Sequence, residues 1–444
     1  QLYRLVTNIL NKFLPDSLHA KIIKTIALIY SLGQFERLAP TVETILSIYN
    51  DDHVTVEMIQ NTIQDLIQKQ CVVYLKRSNA YLKLKETSGV DVYNAISDVV
   101  QKRSVNMTAA SLLNAANLEP YAYPIRYNDQ HEMTRYFQFV FIGSSELETV
   151  TDLNQLVNRY DADGVIFGIL PSDNEQIQEV STMLLNKTAD VSRAVFVLPN
   201  QVNEILVHLQ NLDAVEILRE AAEGDDVLFD EYDVIYQDLS EVVHRYISLY
   251  THPEAHAAKF YYNGMEKTLY RKAHLSHLLS EICDMVYANT PVINNEVLNK
   301  NKLTTVAVNS RTKLLTGLLS APLQPNLGLT GSGQEVSFMR SALITTGVLK
   351  QQDDHIFIDL SPEDHKLAAV LSMIDTFLRE TKQSGAASFA MLYQKLMSTE
   401  YGIGMRKGLI PIYLASVLQK YQKHIIIRDQ FNEAAITPAL LNQI

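Results

Sequence analysis

The chain has 444 residues, 47% of them hydrophobic and 20% charged, which excludes a mostly disordered polypeptide and predicts about three or four domains. Its net charge of −12 excludes a protein that coats nucleic acid through overall charge, so any such contact has to come from local patches. The two cysteines, Cys71 and Cys283, lie far apart and read as reduced core residues of a cytoplasmic protein; no run reaches membrane-spanning length and the start does not read as a signal peptide, and no membrane partner is expected.

Taken in order, the pattern is that of an α+β multidomain chain: winged-helix domains flanking a small parallel-sheet α/β domain and a helical segment. The chain opens at Gln1 without a Met and enters an amphipathic run, LYRLVTNILNKFL, as a fragment of a longer protein, or a processed or trimmed one, would. Residues 1–103 read as a helical, winged-helix domain. Ile22, Ile23, Ile26, Ala27 and Ile29 recur with helical spacing. Pro40 and Thr41 mark a second helix start, and Thr55 caps a third whose inward face would be Met58, Ile59, Ile63, Leu66 and Ile67. CVVYLKRSNAYLKLKE then gives two strand-like runs around a turn. The exposed face of the third helix would carry Glu57, Gln60, Asn61, Gln64 and Asp65, whose acids repel phosphate.

Residues 104–225 read as the α/β domain. TRYFQFVFIG, ADGVIFGIL and SRAVFVLPN are apolar runs, each followed by a helical pattern, as in a parallel layer buried on both faces. Gly143, Ser144 and Ser145, then Pro171 and Ser172, then Pro199 and Asn200 fall at strand ends, where open α/β sheets bind ligands. Asp161 and Asp163 precede the second strand; two carboxylates there could hold a metal, although a pair of aspartates is more often simply a turn. Residues 226–289 read as a helical linker throughout. They hold His252, His256, His274 and His277, but HPEAH lacks the Glu that a zinc-protease helix places after its first His, so surface histidines are the default.

Residues 290–361 and 362–444 read as two further winged-helix-like domains. In the first, residues 290–320 form helix, turn, helix, and FMRSAL forms a helix before the strand HIFIDL. In the second, Leu392, Leu396, Leu409, Ile412, Tyr413, Ala415, Ser416 and Leu418 fit helical faces, and HIIIRD fits a wing strand. Tyr401 to Arg406 reads as a turn freed by Gly402 and Gly404, with Pro411 in the first turn of the next helix. Candidate nucleic-acid contacts are Lys300, Lys302, Arg311 and Lys313 in one unit and Arg406, Lys407, Lys420 and Lys423 in the other, weighed against ordinary solvated charges.

LGLTGSGQEVSFMRSAL, residues 327–343, looks like a phosphate-binding loop but fails chemically. Such a loop needs a Lys for phosphate charge and a hydroxyl for Mg²⁺ at fixed spacing; Gln334 stands where the Lys would be, and Glu335 follows. The stretch therefore reads as a connector, and no catalytic, cofactor or metal residue is assigned anywhere in the chain.

Several stretches carry a resemblance: YLKLKETSGVDVYNAI, YPIRYNDQHEMTRYFQFVFI, PVINNEVLNKNKLTTVAVNSRTKLLTGLL, NLGLTGSGQEVSFMRSALITTGVL and EYGIGMRKGLIPIYLASVL. Together they resemble the large bacterial P-loop ATPases of phage-defence and restriction systems, the BREX ATPase subunits (BrxC/PglY-like) and their relatives. The resemblance implies an ATP- and Mg²⁺-binding core before Gln1, with DNA, other defence-system proteins and further copies of the parent as partners. It carries no ATP-binding residue onto this sequence. The expected function is thus a non-catalytic middle or C-terminal region of such an ATPase, which couples nucleotide state to DNA or partner contact. The alternatives are a free-standing winged-helix DNA-binding regulator and, least favoured, a metal-dependent enzyme using Asp161 and Asp163.

Overall fold

Ser17, Thr41 and Thr55 each accept a hydrogen bond from a backbone N–H of the turn behind them, and so fix three helix starts in the first unit. The computed structural model describes residues 2–50, 53–75, 79–85, 91–103, 107–352, 355–421, 425–429 and 432–443. Helices α1 (Leu2–Leu10), α2 (Leu18–Leu32), α3 (Val42–Tyr49) and α4 (Val56–Gln68) precede an antiparallel hairpin of β1 (Val72–Leu75) and β2 (Tyr81–Leu84). A backbone bridge between Thr41 and Tyr81 adds a third short edge. All five residues of the α2 stripe are buried, and Ile22, Ile23, Ile26 and Ala27 share a cluster with Ile45, Ile59, Ile63, Leu66 and Leu82. Met58 departs from expectation and is 49% exposed. The buried face of α4 runs Ile59, Thr62, Ile63, Leu66, and Met58 lies about a quarter turn off it.

After α5 (Val92–Arg103) and α6 (Ala109–Ala116) comes the central sheet. Its order is β3 (Tyr121–Ala122), β4 (Phe137–Gly143), β5 (Gly164–Leu170), β6 (Ala194–Pro199), β7 (Ala258–Tyr262), β8 (Met265–Lys267). The three expected strands, β4 to β6, are parallel; β3, β7 and β8 join antiparallel, so the sheet is mixed. Side chains alternate with the pleat. Phe137, Phe139, Phe141, Ile166, Val195 and Val197 face α5, α6, α7 (Ile125–His131), α11 (Leu206–Ala221), α12 (Asp226–Thr251) and α13 (Lys272–Val286). Val140, Ile142, Val165, Phe167 and Phe196 face α8 (Ser144–Thr149), α9 (Leu153–Val157) and α10 (Gln176–Lys187). Gly164 and Gly168 leave β5 bare where those phenylalanines cross it: a Cβ on Gly164 would stand 2.2 Å from the Phe137 ring.

The helical reading of residues 226–289 is corrected by β7 and β8. Asn263 (φ 52°) and Gly264 (φ 69°) both adopt left-handed backbone, forming the two-residue turn that suits a tight hairpin. Phe260 and Tyr262 point to one face of the sheet and Tyr261 to the other. A strand period therefore interrupts the helical one.

The last unit contains α14 (Thr305–Leu318), α15 (Gln334–Met339) with a π turn over Arg340–Ile344, and the hairpin β9 (Leu349–Gln352), β10 (His355–Ile358). Then follow α16 (His365–Ser384), α17 (Phe389–Met397), α18 (Ile410–Leu418), the hairpin β11 (Ile427–Asp429), β12 (Asn432–Ala434), and α19 (Pro438–Gln443). Leu314, Leu315, Phe338, Leu343, Leu371, Leu392 and Leu414 belong to one hydrophobic cluster, so residues 290–361 and 362–444 share a core. Residues 290–304 do not form the first helix expected there. The Asn295 side chain accepts from the Leu298 N–H at 3.1 Å, and the Asn295 N–H donates to the Ile293 carbonyl at 2.7 Å. Such local bonds compete with a helical ladder.

Candidate functional site

The residues that lead into β4 and β5 bring Arg135 and Asp163 side by side at the amino ends of two neighbouring parallel strands. The Asp163 N–H donates to the Tyr136 carbonyl at 3.0 Å, which sets the register. Arg135 Nη1 donates to Asp163 Oδ1 at 2.7 Å. The second carboxylate oxygen accepts from Arg406 Nη2 at 2.8 Å and from the Tyr136 N–H at 3.1 Å. Arg406 reaches in from the loop between α17 and α18, where it also donates to the Thr134 carbonyl at 2.7 Å. Arg135 returns the connection, donating through Nη2 to the Gly404 carbonyl at 2.9 Å and to Thr290 Oγ1 at 3.4 Å. The Thr290 hydroxyl in turn donates to the Ile403 carbonyl. A single carboxylate thus ties the sheet to the last unit.

The site is closed to solvent: Arg135 is 1% exposed and Asp163 6%. Its guanidinium lies 3.4 Å over the Tyr287 ring, a cation–π contact made strong by desolvation. The Tyr287 hydroxyl is 3.3 Å from Asp163 Oδ1. Gly404 permits this stacking, because its φ is +55° and a Cβ there would come within 2.4 Å of the Tyr287 ring. Burial by itself would raise the Asp163 carboxyl pKa, but the Arg406 and Arg135 guanidiniums outweigh it and hold the group below the usual carboxylate range. Burial likewise pushes the Tyr287 phenol up, with the Asp163 charge adding to it. The suggestion that Asp161 and Asp163 together hold a metal is corrected accordingly, because both Asp163 oxygens face cationic or N–H donors. Among the described residues no group of three or more His, Cys, Asp or Glu side chains is placed to hold a metal ion.

The eight basic candidates divide. Arg311 and Arg406 are committed to partners inside the protein. Arg311 is 6% exposed and donates to Asn442 Oδ1 at 2.7 Å and to the Gly408 carbonyl at 3.0 Å. Lys313 pairs with Glu335 at 3.0 Å, Lys300 with Glu296 at 3.1 Å and Lys420 with Asp375 at 3.2 Å. Lys302 and Lys407 are exposed. Lys423 lies outside the described residues. The structure does bring the two sequence groups to one edge: the Gly408 N–H donates to the Lys300 carbonyl at 2.9 Å and the Lys407 N–H to Asn301 Oδ1 at 3.2 Å. The partners missed in sequence, Arg135, Tyr287 and Thr290, had no local signal, since each is an isolated residue of an ordinary type.

At the carboxyl ends of the strands the flagged residues bond one another. Ser144 Oγ and the Ser172 N–H both donate to Gln176 Oε1, at 2.8 and 2.9 Å, and Asn200 Nδ2 donates to the His256 carbonyl at 2.9 Å. A cavity of about 270 Å³ lies beside them, lined by Asn200, Tyr246, Tyr250 and His256. The four histidines do not converge: His252 Nδ1 lies 2.9 Å from Thr251 Oγ1, His256 and His274 flank Tyr270, and His277 pairs with Glu281 at 3.2 Å. In the glycine-rich stretch, Gly328 (φ 73°) and Gly331 (φ 81°) turn the chain. The stretch packs so closely on α14 that a Cβ on Gly317 would meet the Leu327 carbonyl at 2.3 Å.

With this geometry in hand, comparison with known proteins adds no family: no family model matches the chain, and no curated protein or solved structure is significantly similar to it. What stands is an α+β chain of helical clusters around a six-stranded mixed sheet, in which no helix among the described residues is long and apolar enough to cross a membrane.

Proposed function

We propose that this chain is a non-catalytic middle or C-terminal region of a bacterial antiviral-defence ATPase, acting in the cytoplasm to transmit the nucleotide state of an upstream ATP- and Mg²⁺-binding core to DNA or to a partner protein. The observation that carries this reading is the Arg135–Asp163–Arg406 joint. A buried carboxylate shared by two guanidiniums from different units resists independent movement, because separating them strands an unpaired charge in a dry site. A transmission element needs such stiffness, and a catalytic one would need open, reactive groups. The order of helices, hairpin and the Thr41–Tyr81 bridge supports reading the first unit as a winged helix, and the helix-then-hairpin order in the last unit supports related modules there.

The test is linkage. Duplex-DNA affinity of the full-length parent is measured with and without a non-hydrolysable ATP analogue. The expected ratio is about 5–150-fold, the usual range of coupling between sites, and Asp163→Asn should bring it towards one. A nucleotide-dependent ratio unaffected by Asp163→Asn would remove the joint from the mechanism. DNA affinity with no nucleotide dependence would favour the free-standing regulator.

A further inference from the structure

Among the described residues, three two-stranded sheets each have a helix as the preceding element: α4, α15 with its π turn, and α18. That is the helix which a helix-turn-helix unit lays in the major groove. α18 is excluded, because every residue from Ile410 to Leu418 is buried. α4 presents Glu57 beside uncharged amides, and its Asp65 is bound by His19 and Lys69. The third helix differs. Ser337, Arg340, Ser341 and Ile344 follow at i, i+3, i+4 and i+7, so they form one stripe. Ser337 and Arg340 are exposed, and Ile344 is 43% exposed.

Three observations mark this stripe. The Arg340 guanidinium has no hydrogen-bond or ion-pair partner among the described residues, whereas Glu335 on the same helix pairs with Lys313. The stripe borders an open cleft of about 400 Å³, shared with Asn294, Ser332 and Gly333. Finally, the helix widens into a π turn at this point, the Thr345 N–H donating to the Arg340 carbonyl at 2.8 Å; π turns are rare and concentrate at functional sites. Asn295 Nδ2 donates to Ser341 Oγ at 2.9 Å and holds the stripe from behind.

We propose that residues 337–344 are the surface that reads duplex DNA. Arg340 donates two N–H groups to a guanine edge in the major groove, Ser337 bonds a neighbouring polar base edge, and Ile344 meets a thymine methyl, while Ser341, bonded to Asn295 and to the Ser337 carbonyl, holds the turn in shape. An unpaired guanidinium beside the Ser337 hydroxyl complements neighbouring acceptors on a base edge, and a chain of net charge −12 can present such a face only locally. This assignment rests on the DNA arm of the proposed function. It is tested by titrating the whole chain with mixed-sequence duplex at two salt concentrations, for wild type, Arg340→Ala, Ser337→Ala and, as a control on the far hairpin, Lys259→Ala. Circular dichroism verifies folding. The expected result is a loss of about tenfold or more for Arg340→Ala with the salt slope unchanged, a smaller loss for Ser337→Ala, and wild-type affinity for Lys259→Ala. Wild-type affinity in Arg340→Ala would overturn the stripe and leave the DNA reading standing. A slope reduced by about one would replace the base contact with a phosphate contact and overturn the groove assignment. No duplex binding by the wild-type chain would overturn both the stripe and the DNA arm, leaving a protein partner.

Discussion

Asp163 balances two guanidiniums with one carboxylate, and the surplus positive charge is met by the carbonyls of Thr134 and Gly404 and by the Tyr287 ring. Removing the carboxylate leaves Arg135 buried and unpaired. Asp163→Ala should therefore cost about 3–5 kcal/mol, read as a lower urea midpoint; a loss below about 1 kcal/mol would mean the site relaxes or floods. Because the folded pKa of Asp163 lies below its ordinary value, its contribution is fully present above the unfolded carboxyl range and is lost only as pH falls through the lower folded value. The joint is thus insensitive to pH near neutrality. His131 behaves otherwise. It stacks on Tyr127 with ring centroids 3.9 Å apart, and burial depresses its pKa below 6.5 despite a bond to the Tyr127 carbonyl. Its neutral form is favoured in the fold, so stability should fall as pH drops below about 6.5, where the unfolded chain takes up the proton. His131→Phe should flatten that slope in urea titrations between pH 7 and 5, roughly the range over which an ordinary His titrates; an unchanged slope would contradict the assignment. At this scale the sequence was only half informative. Asp163 stands out as half of a turn pair, but its partner Arg406 is 243 residues away, and no local pattern reveals such a pairing.

Among the elements, those set by local chemistry were the most readable. Gly402 (φ 66°) and Gly404 (φ 55°) form the expected turn, and Pro411 sits in the first turn of α18, where its missing N–H costs little. The apolar run after it admits no polar face, and all of α18 is buried. Leu414→Ala should accordingly cost about 2–5 kcal/mol of stability; an unchanged melting temperature would contradict the burial. The β7–β8 hairpin was also readable, since Asn263–Gly264 is a strong turn signal, but the long helices on either side masked a five-residue strand. Residues 290–304 failed in the other direction. Their apolar spacing suits a helix, yet asparagine side chains and the packing of Asn299 against the carbonyls of His131 and Glu132 hold them irregular.

Over the whole molecule, two of the four hydrophobic clusters are the opposite faces of the one sheet, so the cores would permit three loosely linked bodies, and polar bonds join them. Lys85 and Glu231 form a buried pair, 3.4 Å apart, between the first unit and α12. The Asp163 joint does the same between the sheet and the last unit, helped by the Asn289 N–H donating to the Gly402 carbonyl at 2.9 Å. These cross-links lie outside the reach of composition or periodicity, which specify each core but not how cores are joined. The most direct measurement is native-state hydrogen exchange of the full chain, comparing wild type with Asp163→Ala. If the joint makes the sheet and the last unit one cooperative body, peptides covering residues 133–142, 287–303 and 399–409 should lose protection together and by similar amounts. Loss confined to residues 133–142 and 161–170, with 287–303 and 399–409 still protected as in wild type, would show that the two units hold independently and that the joint transmits nothing.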